Sequence, residues 1–185
     1  MVVDEADLSQ FASFDQPQNL ARAQEVQRRN IDDLNAYVAV KEGFALLQSG
    51  SAEASEIFGR TVQQFPERVK TWVAVGLAAQ MSGQPNEAKQ SYEYALRLDP
   101  ERDDVHSNLA SLFLSSGELS RAKQHARRAV EINPKSVIAR SNLGLVWAAE
   151  GNHVAACEQF RKALDLNPNN EQIVSLLKKS QSIAD

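Results

Sequence analysis

The residues best suited to catalysis or metal binding are few and lie far apart in the sequence. The three histidines are His106, His125 and His153, and no two of them have the spacing that places a metal-binding pair on one helical face. The single cysteine, Cys157, has no basic neighbour in the sequence that would activate its thiol. We therefore predict no metal site and no cofactor.

Two Ser-x-x-Lys tetrapeptides, Ser120 to Lys123 and Ser175 to Lys178, have the spelling found in some serine acyl enzymes. The companion motifs of those enzymes are absent, as are phosphate-binding glycine loops and the nucleophile elbow. We predict that the protein is not an enzyme.

Composition restricts the class of partner and the compartment. The 185 residues include 20 basic and 24 acidic side chains, and a net charge of -4 makes nucleic acid an unfavourable partner. One cysteine cannot form an internal disulfide, which fits a reducing compartment. The first fifteen residues are acidic, unlike a signal peptide, and no apolar run is long enough to span a membrane. We therefore expect a cytoplasmic protein without membrane insertion.

The chain contains an internal sequence repeat, and the structure of this repeat must position any binding surface of the protein. Four prolines follow one another at separations of 34 residues, namely Pro66, Pro100, Pro134 and Pro168. Gly83, Gly117 and Gly151 keep the same step, as do two series of alanines, Ala88, Ala122 and Ala156, and Ala95, Ala129 and Ala163. A period of this length is typical of repeat architectures.

Each repeat has the pattern of two helices joined by a tight turn. In the second repeat an amphipathic segment runs from Val69 to Met81, and another runs from about Asn86 to Leu98. Gly83 suits the left-handed position that closes the first helix, and Pro100 ends the second because it lacks a backbone donor. Small residues stand where two helices must approach closely, at Gly76, Ala110 and Gly144 and at Ala88, Ala122 and Ala156.

These residues resemble the signature of the tetratricopeptide repeat family. The resemblance is carried by Trp72, Gly76, Gly83, Ala88, Tyr92, Ala95 and Pro100, and again by Leu143, Gly144, Gly151, Ala156, Phe160, Ala163 and Pro168. It covers Asn35 to about Asn170 and implies an all-α solenoid of four repeats. The repeat at 103–136 has Ala126 where the repeats before and after it have the aromatic residues Tyr92 and Phe160. The first repeat is atypical, because Gly50 lies 33 residues before Gly83 and Thr61 replaces an alanine.

The predicted boundaries follow from this register. They are a mobile tail at 1–17, an N-terminal helix at 18–34, repeats at 35–68, 69–102, 103–136 and 137–170, and a capping helix at 171–185. The N-terminal helix either continues into the first repeat or restarts at Asp32 or Asp33. We favour a frayed tail, but docking of Leu8, Phe11 and Phe14 into a groove stays open. Self-association through the N-terminal segment is also open, although no heptad is sustained.

The resemblance implies that the first helices line a concave groove. Its residues would be Tyr37, Val40, Phe44, Leu47, Lys70, Val73, Leu77, Met81, Asp104, Ser107, Asn108, Ser111, Leu114, Ile138, Ser141, Asn142, Leu145 and Ala148. The N-terminal half is apolar, and we expect Tyr37, Val40, Phe44, Leu47, Val73, Leu77 and Met81 to form one exposed patch. Asn108 and Asn142 would either bind the backbone of a peptide or be ordinary structural residues of the repeat.

Some relatives hold the C-terminal carboxylate of heat-shock chaperones with a clamp of lysine, asparagine and arginine. The corresponding positions here are Val40, Phe44, Ala74, Asp104 and Asn108, or one repeat later Val73, Leu77, Asn108, Ile138 and Asn142. Neither set supplies the cations that a carboxylate needs. We predict no carboxylate clamp.

The leading hypothesis is an adaptor, assembly factor or dedicated chaperone that binds a protein or peptide with an apolar segment. The alternative is a regulatory or targeting domain of a larger protein, such as a glycosyltransferase or a pilus-assembly factor. An autonomous enzyme would require a cluster of titratable groups in the groove, where only Lys70 and Asp104 are charged.

Overall fold

A computed structural model of the chain describes residues 17–51 and 53–184, and all regular elements in those ranges are α-helices. The helices are α1 Pro17–Gln48, α2 Glu53–Gln64, α3 Val69–Met81, α4 Pro85–Leu98, α5 Asp103–Ser115, α6 Leu119–Ile132, α7 Val137–Ala149, α8 His153–Leu166 and α9 Glu171–Ala184. The predicted all-α class is confirmed. Leu8, Phe11 and Phe14 lie outside the described residues, so the docking hypothesis for the tail stays a prediction.

The chain divides into two compact units, and the division falls inside α3, between Thr71 and Trp72. In the first unit α1 packs against α2 as a hairpin. Helix α1 is continuous over 32 residues, so the N-terminal helix runs into the first repeat without a restart. Gly43 allows this packing, because a Cβ at that position would lie 2.8 Å from Cζ of Phe58.

Thr61, the unexpected residue of the first repeat, is compatible with its buried position on α2. Only 2 % of the residue is exposed. Its hydroxyl donates a hydrogen bond of 2.6 Å to the carbonyl oxygen of Ile57. A buried polar group with a partner costs much less than an unpaired one, so threonine is tolerated where later repeats have alanine.

The second unit consists of helical hairpins that pack in sequence order, and its turns repeat one geometry. Gly117, between α5 and α6, has a φ of +77°, in the left-handed region that glycine enters without steric cost. The next amide, of Glu118, donates to the carbonyl oxygen of Phe113 at 2.8 Å. This is the hydrogen bond of a Schellman motif, which satisfies a carbonyl at the helix end. The turns after α1, α3 and α7 place Gly50, Gly83 and Gly151 at the same φ within a few degrees.

Proline carbonyls are used in a second repeated contact. Nε of Arg140 donates to the carbonyl oxygen of Pro134 at 2.8 Å. One repeat earlier, Nε2 of His106 lies 3.1 Å from the carbonyl oxygen of Pro100. His106 and Arg140 are each the fourth residue of their repeat, and each connects the first helix to the preceding loop by a hydrogen bond.

Helix α9 covers the end of the last hairpin. Ile173 is buried in a cluster with Ala156, Phe160 and Ala163 of α8, and Leu176 and Leu177 pack at its edge. Lys178 and Lys179 are exposed. An apolar inner face with a polar outer face is what a capping helix requires.

Candidate protein-binding surface

The predicted groove residues of the first unit lie on α1, and one of them is well exposed. The exposed fraction of Tyr37 is 60 %. Val40, Phe44 and Leu47 are half-buried, and the Phe44 ring packs edge-on against Phe58 with centroids 5.2 Å apart. Phe44 therefore belongs partly to the α1–α2 contact.

The predicted residues of α3 differ in exposure. Val73 is only 8 % exposed, so the expectation that it contributes to an exposed patch is wrong. Its side chain is in a packed interior instead. Leu77 and Met81, four and eight residues further on, are 36 % and 63 % exposed. Lys70 is exposed and belongs to the first unit. Of the seven residues predicted to form one apolar patch, Tyr37, Val40, Phe44 and Leu47 belong to the first unit, and Val73, Leu77 and Met81 belong to the second.

Helices α5 and α7 are joined by a hydrogen bond between two predicted groove residues. Nδ2 of Asn142 donates to the backbone carbonyl oxygen of Ser107 at 2.8 Å. One N–H of the Asn142 amide is therefore committed to the fold, which favours the structural interpretation of this asparagine. Ser107 is 2 % exposed, so its expected position in an open groove is wrong as well. Among the described residues its buried hydroxyl has no partner.

The remaining positions on α5 are half-buried or neutralised. Asn108, Ser111 and Leu114 are half-buried. Asp104 accepts two hydrogen bonds from the guanidinium of Arg102, at 2.8 and 2.5 Å. These bonds hold the pKa of the Asp104 carboxyl below its usual value. A carboxylate already paired in this way is a poor candidate for a general acid or base.

On α7 the outermost predicted residue is the most accessible. Ile138 is 65 % exposed. Ser141 donates its hydroxyl to the carbonyl oxygen of Val137 at 2.8 Å. Leu145 and Ala148 pack against the core shared by α8 and α9. In the second unit, therefore, the apolar groove positions that stay exposed are Leu77, Met81 and Ile138.

Three basic residues of α6, Arg121, Lys123 and Arg128, form ion pairs. Lys123 lies 2.6 Å from Glu150 and 3.9 Å from the centre of the Trp147 ring. Arg121 lies 3.9 Å from the centre of the Phe113 ring and bonds the carboxylate of Glu118 at 2.9 Å. Further pairs join Arg121 to Glu93 and Arg128 to Glu101 and Glu131. These contacts support a solvated, neutralised face rather than a site for an acidic partner.

Two histidines that are 19 residues apart in the sequence meet between α5 and α6. Nδ1 of His106 lies 2.9 Å from Nδ1 of His125. Because the carbonyl of Pro100 can only accept, His106 carries its proton on Nε2, and His125 donates from Nδ1. Burial lowers the pKa of His125 to about 4 and also lowers the pKa of His106. Both imidazoles are neutral at pH 7, which agrees with a packing role for His106.

The histidine pair borders an open depression of about 420 Å³ that Lys123, Gln124, Arg127 and Glu131 also line. Within the described ranges no group of three or more histidine, cysteine, aspartate or glutamate side chains could hold a metal ion. The sequence contained no signal for the pair, since the two residues have no helical spacing and only the hairpin brings them together.

In the part of the chain that the structure describes, no helix combines the length and the apolar character needed to cross a membrane.

Two family models match the chain, both described as tetratricopeptide repeat, over residues 79–143 and 137–170. A search of curated protein sequences finds no match.

Several solved structures share the fold. The MamA protein superposes with a TM-score of 0.70 at 21 % identity, covering 80 % of this chain and 82 % of MamA. PilF of Pseudomonas aeruginosa has a TM-score of 0.73 at 23 % identity over 80 % of this chain and 68 % of its own. The first repeat domain of Spaghetti (RPAP3), bound to the HSP90 peptide SRMEEVD, has a TM-score of 0.61 at 23 % identity, over 64 % and 95 % of the two chains.

Proposed function

Because this chain belongs to the tetratricopeptide repeat family, we propose that it is a non-enzymatic protein interaction module whose first helices bind an apolar segment of a client protein. Repeats of this kind generally bind other proteins.

The observation that carries the proposal is the exposure of large apolar side chains at groove positions of the second unit. Leu77, Met81 and Ile138 are between 36 % and 65 % exposed, although the interior beside them is well packed. Leu77 and Met81 lie four residues apart on one face of α3, and adjacent exposed apolar side chains are typical of interaction sites. Methionine adapts to differently shaped partners, which suits a site that accepts a segment rather than a rigid domain.

The charges of this surface argue against recognition of a chaperone tail. The positions that would clamp a carboxylate in the second unit are Val73, Leu77, Asn108, Ile138 and Asn142. None carries a positive charge, and one of the two N–H donors of Asn142 already binds the Ser107 carbonyl. A C-terminal carboxylate would therefore lose its hydration without receiving charged donors in exchange.

Peptide titration followed by fluorescence anisotropy tests the proposal. The probes are an amphipathic peptide rich in leucine and phenylalanine, a polar peptide of equal charge, and the SRMEEVD peptide seen with RPAP3. We expect the apolar peptide to bind with a dissociation constant of roughly micromolar order. The other two probes should bind at least about tenfold more weakly.

Substitutions on the surface provide the decisive comparison. Ile138→Glu and the pair Leu77→Glu, Met81→Glu should each weaken binding of the apolar peptide by roughly tenfold. Val154→Glu is the matched control, since Val154 is a 71 % exposed valine on α8, a second helix of its hairpin. Equal affinities for all variants would remove the first helices from consideration.

We propose that the protein acts on its client in the cytoplasm as an adaptor, an assembly factor or a dedicated chaperone. The alternative function, a regulatory or targeting domain of a larger protein, uses the same surface. The two are separated by the length of the native gene product: a second domain in the same polypeptide supports the alternative.

A further inference from the structure

A stripe of exposed apolar side chains runs along α1 on the side opposite its contact with α2. Ile31, Leu34 and Val38 follow one another at spacings of three and four residues, so they lie on one helical face. Their exposed fractions are 52 %, 61 % and 54 %. The buried residues Ala36 and Gly43 lie seven residues apart on the opposite face, where α2 packs.

Helix α1 is also much longer than its partner. At 1.5 Å per residue its 32 residues extend about 48 Å, whereas the 12 residues of α2 extend about 18 Å. The described side chains from Ala21 to Asn35 are exposed or at most half-buried. Arg68 holds this part of α1 through Asp33 at 3.1 Å and through the carbonyl oxygen of Arg29 at 3.5 Å, but the apolar stripe stays exposed. Because helices in proteins gain most of their stability from packing of an apolar face, a partner on the stripe would stabilise α1.

The charges beside the stripe favour a second copy of the same helix in antiparallel orientation. Positions 27, 31, 34, 38, 41 and 45 have the alternating spacing of a short two-helix seam. In the antiparallel register that places Leu34 against Val38 of the other copy, Arg28 of one helix lies within about one turn of Glu42 of the other. Because the dimer has two-fold symmetry, this ion pair occurs at two equivalent positions in the interface.

The parallel arrangement is disfavoured by the same residues. Lys41 occupies a seam position, so two parallel helices would bring Lys41 of one copy against Lys41 of the other. In the antiparallel register Lys41 lies opposite Ile31 instead, and its aliphatic stem can cover that side chain while the ammonium group reaches water. The two halves of α1 also carry opposite net charge. Residues 17–31 contain three arginines, Arg22, Arg28 and Arg29, and one acid, Glu25, whereas residues 32–48 contain three acids, Asp32, Asp33 and Glu42, and one base, Lys41. An antiparallel pair places the basic half of each helix beside the acidic half of the other.

We propose that the chain forms a homodimer through the Ile31, Leu34 and Val38 face of α1, with the two α1 helices antiparallel. The interface uses the face of α1 that is turned away from the hairpin. The predicted groove residues Val40 and Leu47 stay outside it, whereas Tyr37 and Phe44 flank the seam. The apolar seam is short, and the dimer is therefore expected to dissociate at low protein concentration.

Sedimentation equilibrium of the full chain over a range of concentrations tests the proposal. We expect a reversible monomer–dimer equilibrium that Val38→Glu shifts to monomer by roughly tenfold in dissociation constant or more. Val26→Glu is the matched control, because Val26 is also on α1 and is 53 % exposed but lies outside the seam. A wild-type chain that stays monomeric at millimolar concentration overturns the proposal and leaves the stripe to residues 1–16 or to another protein.

A charge swap tests the antiparallel register itself. Arg28→Glu and Glu42→Arg should each weaken the dimer about threefold or more, because each places like charges opposite one another at two symmetric positions. The double variant should recover the wild-type dissociation constant. Within one helix these residues are about 21 Å apart, so recovery requires a second copy. A double variant as weak as the sum of the single ones overturns the antiparallel arrangement.

Discussion

Gly144 of α7 and Phe160 of α8 leave no space for a side chain between the two helices, since a Cβ at position 144 would lie 2.6 Å from Cε1 of Phe160. Gly76 and Tyr92 have the same relationship two hairpins earlier, at 2.5 Å. Between these two hairpins, α5 and α6 carry alanine at both positions, Ala110 and Ala126. The close approach of the two helices is thus kept by two combinations of side chains.

Gly144→Ala is therefore expected to destabilise the protein. Overpacking against Phe160 costs about 1–3 kcal/mol, which exceeds the gain of about 0.5–1 kcal/mol from replacing glycine inside a helix. Urea denaturation measures the difference. Gly59→Ala on α2 is the control, because a Cβ there meets no atom within 4 Å. The control should be neutral or slightly stabilising, and equal loss in both variants would contradict the steric explanation.

Much of this hairpin geometry could be predicted from residue type and spacing. Gly117 requires a left-handed turn and Pro134 requires a helix end, so the period of 34 residues gives the helix bounds closely. Exposure could not be predicted in the same way. Val73 and Ser107 stand at groove positions by counting, yet both are buried, because their exposure depends on how closely the helices around them pack. The four-repeat count and the cap at 171–185 stay predictions.

The His106–His125 contact predicts a loss of stability in mild acid. The pKa of His125 is lowered to about 4 by burial, with His106 and Arg121 lowering it further, and it returns to about 6.5 on unfolding. Between pH 6.5 and pH 4 the unfolded chain binds a proton that the folded chain does not. The free energy of unfolding therefore decreases as the pH is lowered through this range. Allowing for the partial exposure of His125, we expect a loss of about 1 kcal/mol between pH 7 and pH 5.

The matched variant is His125→Gln, because Gln159 occupies the corresponding position one repeat later. Urea denaturation at pH 7 and pH 5 should show a smaller difference in this variant than in the wild type. The same pH dependence in both proteins would mean that His125 does not control it.

Asn142 and Asn108 stand at equivalent positions but should respond differently to substitution. Asn142→Ala removes the hydrogen bond to the Ser107 carbonyl between α7 and α5, and we expect a loss of about 1 kcal/mol in the free energy of unfolding. Among the described residues the Asn108 side chain has no hydrogen-bonding partner, so Asn108→Ala should leave stability nearly unchanged. If Asn108 contacts the client, its substitution weakens binding of the apolar peptide instead. Equal destabilisation by both variants would show that the two amides have one structural role.

The ion pairs of α6 predict that the basic face does not bind nucleic acid. A polyphosphate gains affinity by pairing with cations and releasing counterions. Here Lys123 is already bonded to Glu150 and Arg128 to Glu101 and Glu131, so these two cations could bind phosphate only by breaking existing pairs. Anisotropy of a labelled single-stranded oligonucleotide at about 150 mM salt, near physiological ionic strength, should show no binding. The triple variant Glu101→Gln, Glu131→Gln, Glu150→Gln frees Lys123 and Arg128 and should bind weakly when the salt is lowered. Tight binding by the wild type would show that the glutamates do not neutralise this face.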